Sequence, residues 1–470
     1  MLSFRGGPAK NCDGLSRRSF LRAGSLGIGG LSLSDLIRAE SVSGKGSSAK
    51  SIIHIHLDGG PPQMDMIDPK PDSPVEYRGD IKSIPSAIPG IHLSELMPSL
   101  AKNAKKFAFL RSLIGADGQH NAFQCQSGYK ASEKGPAGGW PAMGCVINKL
   151  LGSPSAPAPT FVDLMQGRGQ VRNSVRPGFL GPSANPFRPD ISSMFKRELE
   201  DAMKTELAKL RKGHSVDLNL NEDLNVGRLD DRLGLLQGLD RTRREIDAIG
   251  SMEALDTFTQ QAYGILTSGK IAEAMDLTKE DPKVISRYVP VMKEKELAFF
   301  TSEGPQAAKK LLLARRLIEA GVRVVNVSIS DFDTHSKNFV RMKQLVPIVD
   351  HAISTLIEDL DERGMLDDVT VLAWGEFGRT PKVNANAGRD HWPKVAMGIL
   401  AGGGMNVGQV IGATDRYAAE AVQRPVHYKD VIATLYHNLG IDPQQTTVED
   451  SSGRPHYLLE DSRPIKELIA

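Results

Sequence analysis

Cysteine is scarce in this sequence, with only three residues in 470. None of them belongs to a Cys-X-X-Cys pair, which argues against a zinc site built from paired thiolates. Cys12 lies in a segment that we expect to be removed, so Cys125 and Cys145 remain in the mature chain. The sequence leaves open whether these two form a disulfide or stay as free thiols, because pairing depends on the distance and direction of their Cβ atoms.

An excess of charge of one sign is also missing. The 58 Lys and Arg residues nearly balance the 56 Asp and Glu residues, so we expect no basic surface for nucleic acid. Long apolar runs are absent too: none approaches the about 20 residues that a membrane-spanning helix needs, so we expect no stable membrane span. The chain instead has 40% hydrophobic residues, 46 Gly and 28 Pro, which is typical of a loop-rich globular protein with a large core.

Near the N-terminus, residues 16–21 read Ser-Arg-Arg-Ser-Phe-Leu and precede a weakly apolar stretch rich in Gly, Ala and Leu. This arrangement resembles a twin-arginine export signal, in which Arg17 and Arg18 are the pair that the export machinery reads. The alternative is a short amphipathic helix. On the first interpretation residues 1–40 are a signal peptide, residues 41–50 are a linker, and the twin-arginine machinery delivers the protein to the periplasm or cell envelope.

Strand-like and helix-like segments alternate over the last third of the chain. Such alternation is typical of an α/β fold with a mostly parallel sheet and helices on both faces. The charge-rich residues 188–305 show helical spacing, so we expect a helical insertion within one domain that spans residues 51–470. The predicted strands are 51–57, 106–113, 159–164, 323–329, 369–374 and one beginning at 397, and the predicted helices are 306–321, 340–363 and 429–439.

Carboxylates and imidazoles stand at the ends of four predicted strands. In a doubly wound sheet, ligands gather beyond the carboxyl ends of the strands, so these side chains are expected to lie close together. A mixture of Asp, Glu and His suits a divalent metal ion. The candidate metal ligands are Asp58, Asp331, Asp333, His335, Glu376, Asp390 and His391.

Each of these residues also has an ordinary structural explanation. Asp58 precedes two glycines and could be a turn residue. Asp331 and His335 could belong to a loop and a helix cap. Glu376 could simply pair with Arg379, and Asp390 and His391 could lie in an exposed loop. The joint placement at strand ends favours the metal site.

Four segments carry a family resemblance. They are residues 312–327, Asp-Phe-Asp-Thr-His at 331–335, Gly-Glu-Phe-Gly-Arg-Thr-Pro at 375–381, and Gly-Arg-Asp-His-Trp at 388–392. They resemble the signature segments of the domain-of-unknown-function family 1501, which belongs to the alkaline phosphatase and sulfatase-like superfamily. The resemblance covers nearly the whole mature chain. It implies a three-layer α/β sandwich and a metal-dependent hydrolase of phosphate or sulfate esters, with zinc, manganese or calcium as cofactor and a small molecule or glycan ester as substrate.

The resemblance also implies roles for single residues. Asp58 matches an aspartate that binds one metal, and Asp331 or Asp333 with His335 matches the Asp-and-His pair of the other metal position. His391 matches the final histidine ligand. Glu376 stands where the superfamily has an aspartate followed by a histidine, but here Phe377 follows it.

A second departure concerns the nucleophile, because Gly118 stands where a Ser, Thr or modified Cys is expected. His120 is the nearest candidate, as a replacement metal ligand, as a base or nucleophile, or as an ordinary histidine at a helix start. We expect Arg379, Lys382 and Arg389 to bind the anionic group of the substrate, unless they are solvated surface charges. Two hypotheses remain: a hydrolase, or a non-catalytic exported binding or scaffold protein that retains the fold.

Overall fold

The computed structural model describes residues 50–153, 156–166, 169–191, 194–195, 268–292 and 303–469, together with residues 259, 262 and 264. The predicted signal peptide, nearly all of the linker and most of the predicted insertion therefore lie outside the described residues. No helix within the described ranges is long and apolar enough to cross a membrane.

The strands form one large sheet and several small two-stranded ribbons. In chain order they are β1 (Ser51–Leu57), β2 (Ser83–Pro85), β3 (His92–Ser94), β4 (Phe107–Ile114), β5 (Phe161–Asp163), β6 (Val324–Ile329), β7 (Val369–Trp374), β8 (Gly378–Arg379), β9 (His391–Trp392), β10 (Ala396–Gly402), β11 (Gln409–Ile411), β12 (Ala413–Thr414), β13 (Ala421–Gln423), β14 (Val426–His427), β15 (Thr447–Glu449) and β16 (Pro455–Tyr457).

The large sheet has the spatial order β11, β4, β10, β7, β1, β6, β5, and β14 pairs with β4 beside this path. β1 lies near its centre and pairs in parallel with both β6 and β7. Every residue of β1 is buried, in keeping with an apolar, β-branched run between two covered faces. The prediction of a mostly parallel sheet is confirmed.

One strand, β10, runs against its neighbours. It pairs antiparallel with both β7 and β4. Between β7 and β10 the chain forms the small β8–β9 hairpin instead of a crossover helix, so it re-enters the sheet from the edge where β7 ends. Residues just before β10 therefore share an edge with the residues that follow β1, β6 and β7.

Helices cover both faces of the sheet. Ile53 and Ile55 of β1 pack into the core with residues 311–318 and 345–360, whereas Ile52 packs on the other side with residues 142–147 and 431–436. Because alternate residues of a strand point to opposite faces, the sheet lies between two helical layers. The predicted three-layer α/β sandwich is thus confirmed.

The helices keep the predicted places with small shifts at their ends. The segment predicted as a helix over 306–321 is a 3₁₀ turn at Pro305–Ala308 followed by an α-helix. The α-helices are α1 (Val75–Arg78), α2 (Pro98–Lys102), α3 (Phe123–Ser127), α4 (Met143–Leu151), α5 (Gly169–Ser174), α6 (Lys270–Met275), α7 (Pro282–Tyr288), α8 (Lys309–Glu319), α9 (Asn338–Glu362) and α10 (Tyr428–Asn438).

Cys125 and Cys145 are both free and buried, which excludes a disulfide between them.

Candidate metal centre

Loops at one edge of the sheet bring the polar side chains together. After β1 the chain turns through Gly59 and Gly60, with φ angles of 112° and 79° that side chains rarely tolerate. A Cβ atom on Gly59 would lie 2.4 Å from the backbone nitrogen of Asp333, so the loop after β1 and the loop after β6 are in close contact. This contact places residues from both loops in one site.

The first group of side chains is deeply buried. It consists of His56, Asp58 and Glu376, each of which is at most 2% exposed. One potential ligand atom of each lies within 4.8 Å of the others. Within this group His56 Nε2 lies 3.4 Å from Glu376 Oε2.

The backbone around Glu376 is fixed by neighbouring elements. Gln124 of α3 donates a 2.6 Å hydrogen bond to the Glu376 carbonyl. The hydroxyl of Tyr428, at the start of α10, donates to the Gly375 carbonyl at 2.7 Å. The Gly59 amide donates to Glu376 Oε1 at 3.0 Å, so the carboxylate is oriented from the loop after β1.

The pKa of Glu376 is lowered in spite of its burial. Burial alone raises its pKa, but the hydrogen bond with His120 and the charges of His56 and His120 outweigh that effect and hold the pKa below its usual value.

The second group is half-buried and centres on Asp333. It consists of His120, Asp333 and His391, again with ligand atoms within 4.8 Å of one another. Asp333 Oδ1 lies 2.7 Å from Arg379 Nη2, 3.0 Å from His335 Nε2 and 3.4 Å from His391 Nε2. Asp333 Oδ2 lies 3.1 Å from His120 Nε2.

His120 joins the two groups. Its Nδ1 lies 2.9 Å from Glu376 Oε1, while its Nε2 contacts Asp333. An ionised carboxylate only accepts hydrogen bonds, and a neutral imidazole has only one N–H to donate. A neutral ring would therefore present a lone pair to one carboxylate, which is unfavourable unless a proton or a cation lies there.

His391 is oriented as a ligating histidine would be. Its Nδ1 lies 2.9 Å from the Gly118 carbonyl oxygen, which can only accept, so Nδ1 carries the proton. In the neutral ring the lone pair is then on Nε2, the nitrogen that faces Asp333. A backbone carbonyl bonded to the outer ring nitrogen is the usual arrangement around metal-bound histidines.

The donor set fits a divalent cation. Both ring nitrogens of His56 and Oε2 of Glu376 are buried atoms without a hydrogen-bond partner. Each unsatisfied buried polar atom costs about 1–3 kcal/mol, so a bound group at this position would remove a penalty. Imidazole and carboxylate together are typical ligands of zinc and manganese.

His335 and Asp390 lie at the exposed rim, outside the two groups. Their side chains are each 51% exposed, and His335 Nδ1 lies 2.6 Å from Asp390 Oδ1. The hydrogen bond with His335, and then one from Asn384, lower the pKa of Asp390 below its usual value. The structure thus brings these residues beside Asp333 as a pair of their own.

The other predicted residues are placed differently. Asp331 has a left-handed φ of 85° and belongs to neither group. Lys382 is exposed on the loop between β8 and β9. Arg379 and Arg389 are fully buried, because their guanidinium groups bond to Asp333, Asp65 and backbone carbonyls. This placement argues against the expected direct contact of the two arginines with a substrate.

Sequence reasoning missed His56. It lies inside β1, where a histidine is easily taken for a core residue, and it shares a face with His54. The available signal was its position near the end of the strand, two residues before Asp58. That spacing brings both side chains to the same end of the strand.

The two departures from the superfamily pattern have clear structural counterparts. Phe377 is buried, and its ring centroid lies 4.3 Å from that of His391 and 5.2 Å from that of His120. Gly118 contributes only its carbonyl to the site. Burial raises the pKa of the Cys125 thiol, and the charge of Glu376 raises it further, so Cys125 is not an activated nucleophile.

The fold and the two ligand groups define an α/β sandwich protein with a candidate cation centre at the carboxyl edge of its sheet. A family model described as "Protein of unknown function (DUF1501)" matches residues 49–469. The chain therefore belongs to this family, as the sequence motifs predicted. A search of curated proteins found no match.

Solved structures with a related architecture include several hydrolases. The PsFucS1 sulfatase from Pseudoalteromonas sp. is 13% identical, with a TM-score of 0.33, and the match covers 87% of this chain and 70% of that one. A phosphonate monoester hydrolase from Silicibacter pomeroyi is 11% identical, with a TM-score of 0.33 and coverage of 88% and 75%. Ps i-CgsB in complex with k-i-k-neocarrahexaose is 10% identical, with a TM-score of 0.37 and coverage of 83% and 72%. At these values the comparisons do not assign an activity.

Proposed function

We propose that this protein is an exported, metal-dependent hydrolase of phosphate or sulfate esters on small molecules or glycans. The observation that carries the proposal is the juxtaposition of two groups of ligand side chains at one edge of the sheet. The groups are joined through His120, which contacts Glu376 of one and Asp333 of the other. Such adjoining sites suit displacement reactions at phosphoryl and related groups.

The two groups of ligand side chains correspond to two cation positions. His56, Asp58 and Glu376 would hold a cation in the interior, and His120, Asp333 and His391 would hold one nearer the surface. The share of imidazole favours zinc or manganese over calcium, which prefers oxygen ligands. A bound cation would lower the pKa of a water molecule to about 7 and neutralise negative charge that develops on the ester.

The chain's own residues set where an ester could react. The side chains of His120, Asp333 and His391 are 13%, 17% and 26% exposed, whereas those of the buried group are sealed. An ester would therefore reach the half-buried group from the side where His335 and Asp390 form the rim. Phe377 packs beneath His120 and His391 and keeps that side of the site apolar.

A non-catalytic binding or scaffold protein is the second candidate. The observation that favours it is the lack of a side chain at Gly118, together with the buried Cys125 thiol. If no protein nucleophile takes part, hydrolysis requires direct attack by water. A protein that had lost the reaction could retain the cation for stability alone.

The test is a metal analysis of protein purified without chelator, joined to an activity screen with 4-nitrophenyl phosphate, phosphonate and sulfate. We expect bound zinc or manganese and hydrolysis of at least one ester. Asp333→Asn should lose hydrolysis and the cation of the half-buried group, because it removes charge at the centre of that group. Asp450→Asn is the matched control, since Asp450 also contacts a histidine, His456 at 2.9 Å, but in the β15–β16 ribbon.

The outcomes separate the two candidates. Metal without hydrolysis of any ester would favour the scaffold protein. Protein that binds neither cation, even after incubation with excess zinc or manganese, would refute the metal-dependent hydrolase. A loss of activity in Asp450→Asn equal to that in Asp333→Asn would point to general destabilisation.

A further inference from the structure

Two arginines next to the candidate metal centre have no access to solvent. The side chain of Arg379 is 0% exposed and that of Arg389 is 1% exposed. We propose that Arg379 and Arg389 are positioning residues that form an internal clamp and hold the half-buried ligand group in place. The inference rests on the proposed function only where it treats that group as a cation site.

Arg379 cross-links three loops. Its Nε donates to the Gly60 carbonyl at 3.1 Å, and its Nη2 donates to the Gly59 carbonyl. The same Nη2 donates to Asp333 Oδ1 at 2.7 Å, and Nη1 donates to the Arg389 carbonyl at 2.9 Å. One guanidinium thus joins the loop after β1, the loop after β6 and the β8–β9 hairpin.

Arg389 anchors the other arm of the hairpin. Its Nε and Nη2 contact both oxygens of Asp65, at 3.0 and 3.1 Å. Nη2 also donates to the Tyr77 carbonyl at 2.7 Å, and Nη1 donates to the Thr380 and Pro381 carbonyls. All three guanidinium nitrogens are therefore engaged with the protein.

The anchor extends to the loop after β6. Asn338 donates to Asp65 Oδ2 at 2.7 Å and accepts from the Thr334 hydroxyl at 2.6 Å. The Arg389 amide donates to the Thr334 carbonyl at 2.9 Å. The Asp65–Arg389 pair consequently fixes the chain directly after Asp333 and two residues before His391.

These contacts explain why the residues are arginine. A planar guanidinium donates in several fixed directions at once, whereas a lysine ammonium is a point charge on a flexible stem. Binding a substrate anion would require Arg379 to release its partners, three carbonyls and a carboxylate, and would leave them unpaired in the interior. Holding Asp333 by Oδ1 leaves Oδ2 directed at His120. The clamp thus orients the carboxylate for ligation.

The first test measures Co²⁺ affinity by visible absorption in Arg379→Lys and Arg389→Lys. We expect each to bind Co²⁺ about 10- to 100-fold more weakly than the wild type, as is typical when a group that orients a metal ligand is removed. Arg315→Lys is the matched control, because Arg315 is equally buried and paired with Glu280, Glu319 and Asp359 in the helical layer. It should lose stability and keep wild-type Co²⁺ affinity. Unchanged affinity in folded Arg379→Lys, with a raised KM for an ester, would overturn the clamp in favour of substrate binding.

The second test does not depend on a metal. The carbethoxylation rate of His391 by diethylpyrocarbonate is followed by peptide mass spectrometry in chelator-treated protein. We expect His391 to react several-fold faster in Arg389→Lys and Arg379→Lys than in the wild type or Arg315→Lys, because it loses its fixed position against Gly118. An unchanged rate in both clamp variants would overturn the inference. If the wild type itself binds no Co²⁺, the proposed function fails, and this second rate still decides the clamp.

Discussion

At the scale of single residues, two histidines on one face of β1 have different surroundings: His54 is hydrogen-bonded within the core, and His56 faces the candidate metal site. His54 Nε2 accepts a 2.7 Å hydrogen bond from Trp374 Nε1, and its Nδ1 lies 3.1 Å from Asn326 Oδ1. Burial, and then the neighbouring His56, lower the pKa of His54 to about 3, so it stays neutral. His56 has no such hydrogen bonds and faces Glu376 instead.

We therefore predict opposite results for two equivalent substitutions. His56→Gln should lose the cation of the buried group, because the imidazole ligand is replaced by a weaker one. His54→Gln should keep the cation and lose about 1–3 kcal/mol of stability, since the Trp374 donor is left poorly paired. Metal content after dialysis and urea unfolding measure the two effects. Wild-type metal content in His56→Gln would remove His56 from the site.

His120 is the residue on which the two candidate functions divide. We predict that His120→Ala lowers both metal content and hydrolysis, because it removes the ring that joins Asp333 to Glu376. Metal retained with activity lost would instead assign His120 to proton transfer or nucleophilic attack. The exposed neighbour Gln119→Ala serves as control. Unchanged metal and unchanged activity in His120→Ala would exclude His120 from the mechanism and favour the scaffold protein.

Strand ends were the sequence signal that led to Asp58, Asp333, Glu376 and His391. The structure brings these side chains close together because the carboxyl ends of parallel strands meet at one edge. The strand-end pattern does not distinguish candidate metal ligands from the residues that position them. In the sequence Arg379 and Arg389 resemble surface charges, but in the folded chain both are buried. Their burial depends on carbonyl groups from distant loops, which no local pattern records.

At the scale of elements, the direction of β10 determines whether His391 can reach the predicted site. His391 precedes β10, and it reaches the carboxyl edge only because this strand runs antiparallel to β7. Alternating strand and helix patterns predicted the neighbouring parallel strands. The reversal of β10 follows from the short β8–β9 hairpin, whose two-residue strands are too short to leave a periodic signal.

A second link between elements gives a pH prediction. Asp350 of α9 accepts hydrogen bonds from the Ser99 and Leu100 amides at 2.9 and 2.8 Å, and so caps the short helix α2. Burial raises its pKa from 3.8 to about 6, although these amides oppose the rise. The folded protein then binds this proton more tightly than the unfolded chain. Its free energy of unfolding should fall as pH rises from about 4 to about 6, by up to roughly 3 kcal/mol from this group.

Asp350→Asn should flatten that dependence, because the amide accepts a hydrogen bond and does not titrate. Urea unfolding at half-unit steps between pH 4 and pH 7 measures the slope in the wild type and the variant. The exposed Asp367→Asn controls for a general change in charge and should keep the wild-type slope. An equal slope in Asp350→Asn and the wild type would show that Asp350 titrates as an ordinary carboxyl group.

At the scale of the whole molecule, the candidate centre takes its ligands from segments as distant in sequence as His56 and His391, so it exists only in the folded chain. The N-terminal motif resembles the signal of the twin-arginine pathway, which moves folded proteins. Such a pathway would suit an enzyme that acquires its cation before export.

We predict that Arg17→Lys with Arg18→Lys blocks export, because lysine keeps the charge and lacks the guanidinium that the receptor reads. The matched control is Arg22→Lys with Arg38→Lys, which makes the same change elsewhere in residues 1–40 and should be exported normally. Cell fractionation measures export, and N-terminal sequencing of the exported protein should begin near residue 40. Normal export of the Arg17 and Arg18 double variant would exclude the twin-arginine pathway.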